Sequence, residues 1–339
     1  MQITIFLDNL RPRESKKGII YLAKFKNKIN KIIFVTNEID LYENLAQEIK
    51  SKTIFVPSKS YLKIFFYMFF SVITVNPSSW TFPLKIISNL SFKKKINLFF
   101  TPGKVTKAVG FFKHPERGKL PIFFNYFKFI LFNNYLLVSD NEEKEYLSAS
   151  LGYPLKRIII LKHPKYFYIN SKLNTRINDK LGVLIAPTHR WGNEIPPLTK
   201  LLKTEGFLSS LENKINIFHS KHPDTEYVEL RKGVKKFEEN WNEVHILLTD
   251  YSSIGEDFFY SGGKNLIFYI PDKKYFEANQ GKGIFFDSTL TLGKHFSNIE
   301  DLENEVINIF NRNSLTENHR QEISLLDGDH YFEEVIKKI

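Results

Sequence analysis

The stretch HILLTDYSSIGEDF, residues 245–258, decides the fold of this chain. It predicts a short buried strand over 245–249, a polar turn over 250–253, and a helix that buries Ile254, Phe258 and Phe259 at helical spacing. In open α/β sheets, ligands bind at the carboxyl ends of the strands. Asp250, Ser252 or Ser253 can cap the helix, and a hydroxyl that does not cap it can donate to a phosphate oxygen. The stretch therefore predicts a phosphate site.

The strand and helix cadence on either side of this stretch predicts parallel sheets. Apolar strands are expected in the first half at 3–7, 31–36, 53–56, 72–75, 96–100, 135–139 and 158–161, and in the second at 183–186, 215–219 and 265–269. We expect an α/β protein with two Rossmann-like domains facing across a cleft, the GT-B type, by analogy of architecture. The predicted domains are 1–169, acceptor- and membrane-facing, and 181–339, nucleotide-donor-binding, with a polar linker over 170–180.

The composition is that of a globular protein, with 42% hydrophobic and 25% charged residues in a chain of 339. The chain has no cysteine, which excludes a disulfide framework, a thiolate metal site and a thiol nucleophile. The first residues, MQITIFLDNL, predict a strand and not a signal peptide, because no basic segment precedes an apolar one. The scattered histidines show no metal-ligand spacing, so neither a metal nor a cofactor is expected.

The formal net charge of +11 is concentrated in one region. Residues 49–115 contain lysines and no arginine or carboxylate, and they are rich in phenylalanine. Lysine interleaved with aromatic rings is typical of contact with an anionic bilayer surface. The apolar run 64–84 is interrupted by NPSS at 76–79, so we expect contact and not a membrane span. A buried helix with solvated lysines is the alternative, and the lack of arginine argues against nucleic acid.

The turns of the second half resemble those of the CDP-glycerol glycerophosphotransferase family of teichoic-acid and capsule enzymes. The matching pieces are APTHR at 186–190, where the family has APTWR, KHP at 221–223, and TDYSS at 249–253 followed by Asp257 and Phe258. The strand at 267–269 with Asp272 and Tyr275 continues the match. Family order and spacing make the set specific, although each piece alone is weak.

The resemblance implies transfer of a polyol phosphate, most often glycerol phosphate, from a CDP-linked donor to a hydroxyl of a cell-surface polymer or its lipid-linked precursor, with release of CMP. It implies a peripheral enzyme on the cytoplasmic, inner face of an anionic membrane; an assembly of identical chains is left open. The alternatives are a GT-B glycosyltransferase that uses a sugar nucleotide for capsule or lipopolysaccharide synthesis, and a catalytically inactive binding protein.

The implied site residues follow from the same motifs. The candidate catalytic residues are His222, as general acid, and Asp250, which either holds the turn or meets the ribose. The candidate donor-binding residues are Arg190, Thr188, Lys221, Ser252 and Ser253, with Arg190 as a bidentate phosphate ligand.

The acceptor side matches the family less well. The family's HGTPLK is FTPGK at 100–104 preceded by Phe99, so phenylalanine replaces the histidine that the family uses as base. Thr101 and Lys104 remain as candidate acceptor ligands. The base is left open among four residues: His114, His163, His189 and Asp8.

Overall fold

The chain folds into two compact units, each built on a parallel sheet. The computed structural model describes residues 2–9, 13–23, 31–39, 53–75, 96–100, 120, 123, 134–173, 180–188, 190, 194–220, 229–238, 240–279, 287–313 and 328–338. The first unit comprises 1–104, 109–168 and 324–339, and the second comprises 105–108 and 169–323. The predicted α/β class with two Rossmann-like units is therefore confirmed.

In the described part of the first unit, seven parallel strands form one sheet in the order β3-β2-β1-β4-β5-β6-β7. The strands are β1 (Gln2–Phe6), β2 (Lys31–Val35), β3 (Thr53–Val56), β4 (Ile73–Val75), β5 (Ile96–Phe100), β6 (Asn134–Val138) and β7 (Ile158–Ile160). The helices are α1 (Arg13–Ala23), α2 (Tyr61–Phe70), α3 (Asn141–Leu151) and α4 (Pro164–Lys172), whose last residues fall in the second unit. Because the sheet is covered on both faces, its strands are apolar runs without alternation.

In the described part of the second unit, six parallel strands take the order β10-β9-β8-β11-β12-β13. The strands are β8 (Leu181–Ala186), β9 (Ile215–His219), β10 (Val234–Lys236), β11 (Ile246–Thr249), β12 (Asn265–Tyr269) and β13 (Lys294–Phe296). The helices are α5 (Pro197–Leu201), α6 (Ile254–Tyr260), α7 (Lys273–Asn279), α8 (Asp287–Leu290) and α9 (Ile299–Asn313). The strand order reverses between β8 and β11, which makes their carboxyl ends the topological switch point of this sheet.

Helix α3 shows how local sequence sets an element boundary. Asp140 caps the helix by accepting the amide of Glu143 at 2.9 Å, and the Glu143 carboxylate accepts the amide of Ser139 at 2.9 Å. The Asp140 bond satisfies a donor that the first turn leaves free, and the Glu143 bond joins the residue before the cap to the helix. The helix ends at Gly152, whose φ of 73° is left-handed and favours glycine.

The C-terminal helix α10 (Gly328–Lys337) corrects the predicted domain boundaries. It belongs to the first unit and not to the second, because Tyr331 and Val335 are buried in the core cluster that includes residues of β1 and β4. The Tyr331 ring meets the Phe167 ring edge-on at 5.7 Å. The predicted linker also begins too early, since residues 170–172 continue α4; residues 174–179 lie outside the described residues.

The edge strands β10 and β13 were not predicted from the sequence. Their residues, VKK and KHF, lack the apolar run by which the inner strands are recognised. Short, charged edge strands resist pairing with another chain, so their composition follows from their position.

No helix in the described part of the chain is long and apolar enough to cross a membrane.

The placement of α10 predicts a local effect of a core truncation. Tyr331→Ala removes a fully buried ring and is expected to cost about 3–5 kcal/mol, by analogy with other buried aromatic truncations. Amide hydrogen exchange should accelerate in β1 and β4 while β8 and β11 keep their protection. Ile336→Ala, at a position that is 38% exposed on the same helix, is the control and should change neither. Faster exchange confined to β8 and β11 would contradict the assignment.

Candidate functional site

The switch point of the second sheet brings together the turns after β8 and β11. Ala186 and Thr249 are paired at the ends of these strands, and the Thr249 hydroxyl donates to the Ala186 carbonyl at 2.7 Å. Helix α6 packs closely against β12 because residue 255 is glycine. A Cβ at this position would come within 3.1 Å of the Phe268 ring on β12. Thr188 and Asp250 therefore leave their strands side by side.

The turn after β8 is fixed by a buried ion pair. Arg190 donates from Nη2 to Asp250 Oδ2 at 2.9 Å and from Nη1 to the Thr188 carbonyl at 2.8 Å. The Thr188 amide donates to Asp250 Oδ1 at 2.7 Å. Arg190 is 3% exposed and Asp250 1% exposed, so each group is stabilised by its partner and not by water.

The turn after β12 closes the same cluster. Arg190 Nε donates to Asp272 Oδ2 at 3.1 Å, and the Tyr251 hydroxyl donates to Asp272 Oδ1 at 3.2 Å. The Tyr251 and Phe276 rings stack at 3.7 Å between centroids, and the guanidinium lies 4.8 Å from the Phe276 centroid. We call the set Arg190, Asp250, Asp272, Tyr251 and Phe276 the arginine cluster.

Burial and charge act in opposite directions on the pKa values of this cluster. Burial alone would lower the pKa of Arg190, but Asp250 and Asp272 outweigh it and raise that pKa above its ordinary value. Burial raises the pKa of Asp250, against the opposing effects of Arg190 and the Thr188 amide. Burial, followed by Asp272, raises the pKa of Tyr251, which stays a phenol and a donor. The guanidinium is thus a permanent cation held between two carboxyl groups.

These contacts change the expected parts of Arg190 and Asp250. A bidentate phosphate ligand needs a free guanidinium fork, whereas the Arg190 fork already bonds Asp250, Asp272 and the Thr188 carbonyl. Asp250 is buried with both oxygens engaged and presents no carboxylate edge to a ligand. Sequence reasoning did not assign a part to Asp272 or Tyr251. Asp272 follows the end of β12 as Asp250 follows β11, and that position was the available signal.

Three hydroxyl groups beside the arginine cluster have weak or no internal bonds. Thr188 is 3% exposed, and its Oγ1 makes no hydrogen bond of ordinary geometry among the described residues, although it lies close enough to Asp250 to help lower the pKa of that carboxyl group. Ser253 precedes α6 without capping it through its side chain, and Ser252 Oγ accepts only a long bond of 3.4 Å from the Ile254 amide. The structure therefore brings the predicted donor-binding residues Thr188, Ser252 and Ser253 to one edge of the sheet.

Several predicted site residues lie outside the described residues. Strand β9 ends at His219, and the Ser220 amide donates to the Ile185 carbonyl at 2.9 Å. Ser220 is the last described residue before the predicted site residues Lys221 and His222. The residues concerned are Lys221, His222, Thr101, Lys104, His114 and His189.

The two described candidates for the base have structural contacts in the first unit. Asp8 accepts the hydroxyls of Thr36 and Ser58, each at 2.6 Å, and thereby joins the ends of β1, β2 and β3. His163 is 4% exposed, its Nδ1 accepts the Lys165 amide at 3.2 Å, and its ring lies 5.4 Å from that of Phe100. Asp8 and His163 are therefore both held by contacts within the first unit.

Among the described residues, no group of three or more histidine and acidic side chains is arranged to hold a metal ion.

The chain is similar in fold to solved structures of a polymerase and of epimerases. It superposes on the wall teichoic acid polymerase TagF with a TM-score of 0.60 and 14% identity, over 100% of this chain and 83% of that chain. It superposes on UDP-GlcNAc 2-epimerase from Neisseria meningitidis with a TM-score of 0.52 and 10% identity, over 100% and 99%. The putative UDP-N-acetylglucosamine 2-epimerase from Listeria monocytogenes gives 0.53 and 11%, over 91% and 88%. These similarities confirm the GT-B type of fold.

The family follows from the sequence of the second unit. The model of the CDP-Glycerol:Poly(glycerophosphate) glycerophosphotransferase family matches residues 141–325, more than half of the chain, and includes every member of the arginine cluster. The chain therefore belongs to this family, as the resemblance of its turns predicted, and it is a transferase of the CDP-glycerol-dependent class. A comparison with curated proteins finds no match.

The buried ion pair predicts a large stability effect at Arg190. Arg190→Ala leaves the Asp250 carboxylate buried without its cation, and breaking such a pair costs about 3–5 kcal/mol. Urea unfolding should show the loss. Lys294→Ala is the control, because Lys294 pairs with Glu305 at 2.8 Å but is 57% exposed, and exposed pairs contribute about 1 kcal/mol or less. Equal losses in the two variants would contradict the supporting part given to Arg190.

Proposed function

We propose that this chain transfers glycerol phosphate, or a related polyol phosphate, from its CDP-linked form to a hydroxyl of a cell-surface polymer or of its lipid-linked precursor. CMP is released. The observation that carries this proposal is the family match across 141–325, which includes the TDYSS turn at the switch point of the second sheet. The structurally similar TagF is a wall teichoic acid polymerase, which agrees in kind.

The chemistry is a phosphoryl transfer. The acceptor oxygen attacks the β-phosphorus of the donor, the bond from that phosphorus to the CMP oxygen breaks, and CMP leaves with the electron pair. A base takes the proton of the acceptor hydroxyl, and an acid can protonate the leaving phosphate. Charge grows on phosphate oxygens throughout, so the site needs fixed positive charge and hydrogen-bond donors.

We assign two kinds of role at the donor site. Arg190 and Asp250 are positioning residues, because their polar atoms are occupied by each other and by the turn. Thr188, Ser252 and Ser253 contact the donor diphosphate through hydroxyls that the protein uses weakly or not at all. The buried cation of Arg190 adds to the potential at these hydroxyls.

The remaining assignments rest on the family motifs. His222 donates a proton to the leaving CMP, and Lys221 binds its phosphate. On the acceptor side, Thr101 and Lys104 bind the incoming chain. Phe99 stands where the family motif has its histidine, so the base is a different residue from the one that the family uses.

The location of the enzyme is also part of the proposal. We place it at the cytoplasmic, inner face of an anionic membrane, where a lipid-linked acceptor is held. The support is the lysine-rich and carboxylate-free sequence of residues 49–115.

A donor panel tests the function. The purified chain is incubated with CDP-glycerol, CDP-ribitol, CMP-sugars and UDP-sugars, each with and without a glycerol phosphate oligomer, and nucleotide release is measured. The proposal predicts acceptor-dependent release of CMP from a CDP-polyol. Nucleotide release from a sugar donor would replace it with a glycosyltransferase, and binding without release from any donor would replace it with a binding protein.

The unpartnered hydroxyl of Thr188 predicts a separation of activity from stability. Thr188→Val keeps the shape and removes a buried hydroxyl that makes no hydrogen bond of ordinary geometry, so the free energy of unfolding should change by about 1 kcal/mol or less. The KM for CDP-glycerol should rise by about tenfold, the worth of one hydrogen bond to a charged group. Ser150→Ala is the control, since Ser150 is equally buried and unpartnered on α3. An unchanged KM in Thr188→Val would remove Thr188 from the site.

A second variant tests the proton donor. His222→Ala should reduce kcat at least a hundredfold, the lower range for loss of acid–base catalysis, with unchanged hydrogen exchange in β8, β9 and β11. Wild-type turnover in this variant would exclude His222 from the mechanism.

A further inference from the structure

Helix α2 carries an exposed apolar face in the first unit. Ile64 and Met68 point into the core, where they are at most 1% exposed. The opposite side bears large apolar side chains at spacings of four, seven and eight residues, which place them on one face of a helix. They are Leu62, 82% exposed, Phe66, 58%, Phe69, 36%, and Phe70, 45%. The buried-helix alternative therefore does not hold for α2.

The exposed rings form one patch and not isolated side chains. Phe66 and Phe70 lie 4.8 Å apart between ring centroids, and Phe69 and Phe70 lie 5.3 Å apart. Single exposed apolar residues are ordinary on a protein surface, whereas a contiguous apolar patch marks an interaction site.

A groove continues the patch onto the edge of the sheet. It has a volume of about 350 Å³ and lies between α2 and β3, which is the edge strand of the first sheet. Its lining is mostly apolar, with Lys63 as the charged member. The lining residues are Ile54, Phe55, Val56, Pro57, Leu62, Lys63, Phe66 and Tyr67.

The described charged side chains of α2 and of the turn before it are all lysines. Lys59 and Lys63 are exposed on the turn before α2 and on its first turn. The sequence from 49 to 115 contains no aspartate or glutamate. A symmetric contact with a second copy of this face would bring lysines against lysines, because a two-fold interface pairs the same patch with itself. An anionic surface is the complementary partner.

The patch is also firmly mounted. The Ser71 amide at the end of α2 bonds the carbonyls of Tyr67 and Met68, and the Ser71 hydroxyl lies 2.7 Å from that of Thr4 on β1. The Gln2 side chain donates to the Tyr67 carbonyl at 3.0 Å. These bonds anchor α2 to β1, the first strand of the sheet.

We propose that α2 is the membrane-docking element of this protein and lies flat on an anionic phospholipid bilayer. Leu62, Phe66, Phe69 and Phe70 enter the boundary between headgroups and acyl chains, Lys59 and Lys63 meet lipid phosphates, and the groove beside β3 accepts part of a hydrocarbon chain. A helix of ten residues is about 15 Å long, which suits lying in the interface and not crossing it. The inference specifies the surface for the membrane location given under Proposed function and is independent of the donor.

Vesicle co-sedimentation tests the composition of this surface. The full chain is mixed with vesicles of phosphatidylcholine alone or with 30% phosphatidylglycerol by design, at roughly 50 and 500 mM salt, chosen to span strong and weak screening. Wild type should bind the anionic vesicles at low salt and lose affinity at high salt. Lys59→Gln with Lys63→Gln should weaken binding by about 25-fold, about fivefold for each lysine. Lys232→Gln with Lys236→Gln changes the charge equally on an exposed part of the second unit and should have little effect.

The apolar part has its own matched pair of variants. Leu62→Gln with Phe66→Gln keeps good helix formers in α2 and should reduce binding at least tenfold. Leu155→Gln with Ile336→Gln removes two exposed apolar side chains elsewhere in the first unit and should leave binding unchanged. Release of CMP with a soluble acceptor should be the same in all four variants, which separates loss of docking from loss of the transferase site.

Depth is measured directly, because the chain has no cysteine and accepts single labels. An environment-sensitive fluorophore on Phe66→Cys should shift to shorter wavelength on anionic vesicles and be quenched by brominated acyl chains. The same label on Leu155→Cys should do neither. Wild-type binding with the label at position 66 still in water would overturn the proposal, as would the absence of vesicle binding. A shift that depends on protein concentration without lipid would assign the patch to self-association instead.

Discussion

The contact between Arg190 and Asp250 is the interaction on which the switch point of the second sheet depends. Three turns follow β8, β11 and β12, and they have no regular hydrogen bonding with one another among the described residues. Arg190 joins them, because it bonds Asp250 after β11, Asp272 after β12 and a carbonyl in its own turn. Two buried charges are expensive to remove from water, and here each has the other as its partner. The geometry of the switch point is thus fixed before any ligand arrives.

Fixed geometry matters for phosphoryl transfer because the protein contributes position and electrostatics more than covalent chemistry. The arginine cluster occupies its own polar atoms and leaves the hydroxyls of Thr188, Ser252 and Ser253 at the sheet edge. A cation that is held in place stabilises developing negative charge without reorganising at the moment of reaction. We therefore expect Arg190 to stabilise the donor electrostatically through the turn and not by direct contact. The first unit has a comparable device in Asp8, which joins the ends of three strands through hydroxyl donors.

The sequence predicted the elements that have strong local signals. The inner strands are apolar runs, and the TDYSS turn lies where a strand and helix must meet, so both were located correctly. The edge strands of the second sheet were missed because VKK and KHF carry no burial signal. The C-terminal helix was assigned to the wrong unit, since its apolar spacing shows which face is buried but not against what. Arg190 was predicted to bind phosphate because a guanidinium group can bond two phosphate oxygens. Its contact with Asp272 was missed because the two residues lie 82 positions apart, and no local pattern reveals such a contact.

We infer that a CDP-polyol binds at the switch point of the second sheet, against turns held by Arg190. Amide hydrogen exchange with and without saturating CDP-glycerol tests it most directly. We expect protection in the turns around Thr188 and Ser253, with no change in the turns after β1 and β2. Protection confined to the first unit, or no protection at a concentration that supports CMP release, would contradict it.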